Sequence, residues 1–135
     1  MTRNRIIVPW RRIVACATLL SAVLVPIFAY AQAGATVEIP VECDCLAEHT
    51  WEAVKRVVTE RYPVAILDKT EGRVETEWYS HGGGGVYEYR FVIDVTDDLI
   101  VITAEGRYAA DHRRTPTHDA AGLQELALAI DAHVN

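Results

Sequence analysis

Two thiols one residue apart, in the stretch Val41-Glu42-Cys43-Asp44-Cys45-Leu46-Ala47-Glu48-His49, carry the most reactive chemistry in this chain. They have three fates. A Cys43–Cys45 disulfide closes a very small ring, which strains it and makes it comparatively reducible. A disulfide to a second chain is the next. The third is a metal site, in which the two soft sulfurs and His49, one helical turn past Cys45, hold copper(I) or contribute to zinc. The local disulfide, or a pair of inert thiols, ranks first. The metal reading lacks a clear fourth ligand, and a lone imidazole on a charged helix face is ordinarily just solvated. A thiol at a helix start has a lowered pKa, but the strand order is not the βαβ setting of a thioredoxin-like enzyme.

Other candidate groups are sparser. Ser80, the only serine after residue 33, precedes His81 and the run Gly82 to Gly85. Neighbours on an extended chain point in opposite directions, so Ser80 and His81 do not make a nucleophile–base pair by themselves. The glycine run lacks the lysine and following helix of a phosphate-binding loop and reads as a hairpin loop. Asp111, His112 and His118 can each ligate a metal, yet their spacing matches no ligand motif. Glu75, Glu77, Glu88 and Asp94 are paired-carboxylate candidates. They alternate with Arg73 and Arg90, so cross-strand ion pairs explain them more simply. Tyr79, His81, Tyr87 and Tyr89 form an aromatic patch beside the glycine loop, suited to contact with a protein partner. No catalytic set converges.

These residues need elements to hold them. Val37, Ile39 and Val41 alternate with Glu38, Pro40 and Glu42, the pattern of an edge strand, where proline is tolerated. A first helix is expected from Leu46 to Arg61, with Ala47, Trp51, Val54 and Val58 as its apolar stripe and Asp44 as its N-cap. Four strands follow: 63–68, 73–79, 86–95 and 99–108. Val74, Thr76 and Trp78 are expected on one face of the second, opposite Arg73, Glu75 and Glu77. A second helix from about Thr117 or Asp119 to His133 ends the chain. The expected fold class is α+β: an antiparallel four-stranded meander, with an optional N-terminal edge strand, packed on one face by two helices in the order α-β-β-β-β-α.

Residues 1–33 read as a secretory signal peptide. Arg3, Arg5, Arg11 and Arg12 precede an apolar run that ends at Ala31-Gln32-Ala33, an A-x-A cleavage site. Pro26 breaks the run, which is short for a bilayer span; an uncleaved anchor is the competing reading. Cys16 follows the arginines too closely for lipidation. Residues 34–45 are then a lead-in carrying the CxC pair, and 46–135 a single domain. With residues 1–33 set aside, nine Lys and Arg face 19 acids, a net charge of −10. That balance disfavours nucleic acid and anionic lipid as partners. The expected location is periplasmic or secreted, with membrane contact only through a partner or an uncleaved signal.

The helix with Trp51 near its start, followed by Asp68…Gly72-Arg73-Val74-Glu75-Thr76-Glu77-Trp78, two longer strands and a terminal helix, resembles the helix-grip domains of BamC-type accessory lipoproteins. Those belong to the outer-membrane barrel assembly machinery. The likeness spans Leu46 to Val134 and rests on Gly72, Val74, Thr76 and Trp78. The CxC pair and the single unlipidated domain depart from that family's pattern. The resemblance implies a non-enzymatic envelope module without a cofactor, whose partner is an envelope protein. The alternatives are a periplasmic metal-binding protein using Cys43, Cys45 and His49, and, last, a small enzyme.

Overall fold

The chain alternates polar and apolar residues over its middle third, and those stretches pair as one sheet. The computed structural model describes residues 35–81 and 85–135; the expected export signal and the glycines 82–84 lie outside them. The elements are β1 (Thr36–Pro40), α1 (Ala47–Arg61), β2 (Val64–Asp68), β3 (Arg73–Thr76), β4 (Tyr87–Val95), β5 (Leu99–Tyr108), β6 (Arg114–Thr115) and α2 (Ala120–Val134). The sheet order is β1-β5-β4-β3-β2, with β6 also pairing β5. Every pairing is antiparallel. None of the described helices is long and apolar enough to cross a membrane.

The α+β class and the β2–β5 meander match the expectation, but the described sheet has six strands, not four. β1 lies along the first half of β5, Thr36 opposite Thr103, and buries Val37 and Ile39. It therefore belongs to the same compact unit as the rest of Ala35–Asn135. β6 pairs only Gly106 and Arg107, too short to leave a periodic trace in the sequence.

One face of the sheet carries the core. Val74, Phe91, Ile93, Ile100, Ile102 and Ala104 are buried with Trp51, Val54, Val57 and Val58 of α1 and Leu123, Leu126 and Ile130 of α2. The α1 stripe is thus shifted from the expected one: Val57 is buried and Ala47 is exposed. Asp44 is not the cap. Leu46 occupies that position, with no side-chain cap bond, because the CxC segment leads into the helix two residues later than a cap at Asp44 needs. In α2, Asp119 does cap, its Oδ1 accepting from Gly122 N at 2.9 Å. The β2–β3 turn needs Gly72, whose φ is +65°; a Cβ there would also strike the Val95 carbonyl.

β3 departs most from its alternation. Its ladder with β4 ends at Glu75 opposite Val92, and pairing resumes at Tyr79 opposite Tyr89. Three residues separate Glu75 from Tyr79 while two separate Val92 from Tyr89, a one-residue slip. A slip of one residue turns every later side chain of the strand to the opposite face. Trp78, expected on the core face beside Val74 and Thr76, therefore lies among the arginines of the other face. Tyr79 takes the core side, against Phe91 and Tyr62. At the break, Thr76 is fully buried and its Oγ1 accepts the Phe91 N–H at 2.9 Å. A side chain replaces the missing backbone acceptor.

Candidate functional site

Two neighbouring residues, Trp78 and Tyr79, anchor separate clusters on opposite faces of the sheet. On the core side, Tyr79 Oη donates to Asp119 Oδ2 at 2.6 Å, and His81 Nε2 lies 2.8 Å from the same oxygen. Asp119 is 8% exposed. Burial works against its charge, but the Tyr79 hydroxyl, the Gly122 amide and His81 together outweigh this and hold its carboxyl below the ordinary range. The same burial, with the Asp119 charge and hydrogen bond, pushes the Tyr79 phenol far up. Burial likewise raises Tyr62.

The four aromatic residues picked out in the sequence do meet. The His81 ring sits 5.6 Å from Tyr79 and 5.5 Å from Tyr89, and Tyr87 stands 6.5 Å from Tyr89. Tyr87 also packs on Tyr108 at 5.3 Å. Asp119, the polar centre of the group, was visible in the sequence only as one of two starting residues, with Thr117, for the second helix. His81 and Asp119 have the form of a base and its orienting acid. Among the described residues, however, no serine, threonine or cysteine is hydrogen-bonded to His81.

On the other face, Trp78 lies within cation–π distance of three guanidinium groups: Arg107 at 4.2 Å, Arg90 at 4.7 Å and Arg114 at 4.8 Å from the ring centroid. The register explains this convergence, since Arg90 is opposite Glu105 and Arg107 is flanked by Glu88 and Arg114. Glu105 accepts from Arg90 Nε at 2.6 Å and from Arg114 at 2.7 Å. Although partly buried, its carboxyl is lowered by those two arginines. Glu75 is bound by Arg73 at 2.8 Å and faces Arg90 at 3.5 Å, and Arg73 also reaches Asp94 at 3.4 Å. The expected cross-strand ion pairs of Glu75, Glu88 and Asp94 are therefore present; Glu77 lies outside β3 and is exposed. The Arg107 Nε is buried without a hydrogen-bond partner.

The third group is the CxC corner. The Cys43 and Cys45 sulfurs lie against each other as a disulfide pair, with Cα atoms 5.2 Å apart. A cavity of about 150 Å³ beside them is lined by Cys43, Cys45, His49, Thr50 and, from the end of α2, His133 and Val134. His133 was not singled out by sequence, since only the fold brings it to this corner. Asp111, His112 and His118 do not converge. Asp111 accepts from Arg113 N, His112 approaches Glu88 at 3.8 Å, and His118 bonds the Pro116 carbonyl. Among the described residues no three His, Cys, Asp or Glu groups are placed to hold a metal ion. The larger cleft, about 340 Å³, lies at the β2–β3 turn between Trp51 and Asp97 and contains none of these groups. No model of a known protein family matches the chain, and no curated protein sequence matches it.

Proposed function

We propose that this chain is an exported, non-enzymatic accessory module of the cell envelope that binds a partner protein through its helix-free sheet face. One observation carries the reading: both helices pack on the same face, leaving Trp78 with Arg90, Arg107 and Arg114 on the other. Tryptophan, tyrosine and arginine are the side chains that dominate binding energy at protein interfaces. Here the arginines are already held by Glu75, Glu88 and Glu105, so less side-chain freedom is lost on docking. The aromatic patch of Tyr87 and Tyr89 lies on the opposite face at the same end of β4, where Tyr79 and His81 brace it through Asp119, and forms a second contact surface. The BamC-type resemblance and the basic, apolar, A-x-A leader support an envelope location and a barrel-assembly partner.

The test is recovery of the tagged protein from detergent-solubilised envelopes after reversible cross-linking. A specific envelope protein recovered with the wild type and lost with Trp78→Ala supports the reading. Equal recovery with a folded Trp78→Ala variant contradicts it.

A further inference from the structure

We propose that the Cys43–Cys45 corner is a redox-gated zinc site, in which reduction frees both sulfurs to bind one zinc ion together with His49 and His133. The proposal does not depend on the partner-binding role. Four ligand-type side chains line one cavity of about 150 Å³ from three parts of the chain: the loop before α1, the first turn of α1 and the last turn of α2. In the disulfide form described they are not placed to hold a metal ion, and the site forms only once reduction lets the sulfurs turn toward the histidines. Two thiolates and two imidazoles are a tetrahedral zinc set.

Two further observations point the same way. His133 Nδ1 lies 2.8 Å from the Ala129 carbonyl. A carbonyl only accepts, so Nδ1 carries the proton and the neutral ring keeps its lone pair on Nε2. Zinc-binding histidines use this arrangement, one ring nitrogen on a backbone carbonyl and the other on the metal. Secondly, the two chain segments are tied together beside the cavity. Asn135 Oδ1 accepts from Glu42 N at 2.8 Å, and Asn135 Nδ2 donates to the Pro40 carbonyl at 2.9 Å. These bonds hold the end of α2 against the strand that leads into Cys43. Thr50, buried under the pair, places Oγ1 3.7 Å from Cys45 Sγ.

The gate is a matter of which bonds the sulfurs make. In the disulfide form each sulfur is bonded to the other. A dithiol reductant transfers two electrons and two protons, becomes a disulfide itself, and leaves two thiols. Zinc then displaces both thiol protons to solvent, so binding strengthens as pH rises. A disulfide bridging a single intervening residue is among the more easily reduced kinds.

The experiment uses the full chain with Cys16→Ser, fully oxidised or dithiol-reduced, titrated anaerobically with Zn²⁺ against a chromophoric chelator. Co²⁺ in parallel reports tetrahedral thiolate coordination by visible absorption. The expected result is one zinc per reduced chain and none per oxidised chain. His49→Ala and His133→Ala should each weaken binding by at least about tenfold, the loss that even an outer partner of a zinc ligand causes. Both histidines are exposed, so the variants keep the core, which circular dichroism verifies. No zinc on the reduced chain, equal zinc on the oxidised chain, or zinc binding unchanged by His133→Ala would overturn the proposal. So would copper(I) retention with zinc rejected and both histidines dispensable.

Discussion

Tyr79 donates its phenol proton to Asp119 across the junction between the end of β3 and the start of α2, at 2.6 Å. The same carboxylate caps α2 through Gly122 and pairs with His81. One buried acid thus fixes a helix start, an aromatic cluster and the position of His81. Asp119→Ala should destabilise the fold by about 2–4 kcal/mol, combining a lost cap with an unpaired, half-buried phenol. Asp119→Asn should cost less, because asparagine still caps. Chemical denaturation of both variants checks the order, and a Tyr79→Phe double mutant should be clearly non-additive.

Asp119 also gives the stability a pH signature. Its carboxyl is lowered in the fold from the ordinary 3.8, so the folded state binds protons less readily than the unfolded one. Its contribution is complete above about pH 5 and lost as pH falls through the native value. Glu105, lowered by Arg90 and Arg114, acts in the same direction. Tyr79 has the opposite sense. Raised from 10.0, it favours the fold below about pH 10 and loses that contribution above it. Melting temperature against pH should therefore fall at both ends, and Asp119→Asn should flatten the acid limb.

Thr76 and Phe91 test the slip in β3. Thr76→Val keeps the shape but removes the acceptor for the Phe91 N–H, leaving a buried donor unpaired. The expected cost is about 1–3 kcal/mol, with faster amide exchange at Phe91 measured by NMR. A fully protected Phe91 amide in the variant would mean that β3 and β4 can pair without the break.

The two large aromatic residues should behave differently. Phe91 is fully buried, and Phe91→Ala should cost about 3–5 kcal/mol. Trp78 is only half-buried, held by arginines, and Trp78→Ala should cost about 1–2 kcal/mol through lost cation–π contacts. Denaturant titration separates them. A Trp78→Ala loss as large as that of Phe91→Ala would place Trp78 in the core.

The alternation of β4 and β5, the extent of α2 and the aromatic patch were all legible in the sequence. Each is a local pattern: a period of two, an apolar stripe at helical spacing, or rings sharing a strand face. The misplaced Trp78 shows where such reading stops. The slip between Glu75 and Tyr79 depends on which residues of β4 stand opposite, and nothing inside β3 signals it. β1 was readable as a strand because Val37 and Ile39 alternate with polar residues, but not its pairing with β5, about sixty residues away. His133 beside the thiols and Asp119 beneath Tyr79 were hidden for the same reason: one is in the last turn of α2 and the other is its cap, and only the docking of that helix brings them there. Asp44 failed as a cap because a plausible residue type stood two positions too early.

The most direct test of the binding role is site-specific photo-cross-linking in intact envelopes. A photoreactive residue at exposed position 77, next to Trp78, is compared with one at Leu128, exposed on α2. A discrete cross-linked partner at position 77 that is absent at 128, and that disappears with Trp78→Ala, is the predicted result. A partner captured equally from both positions, or only from 128, would contradict the assignment of the helix-free sheet face as the contact surface.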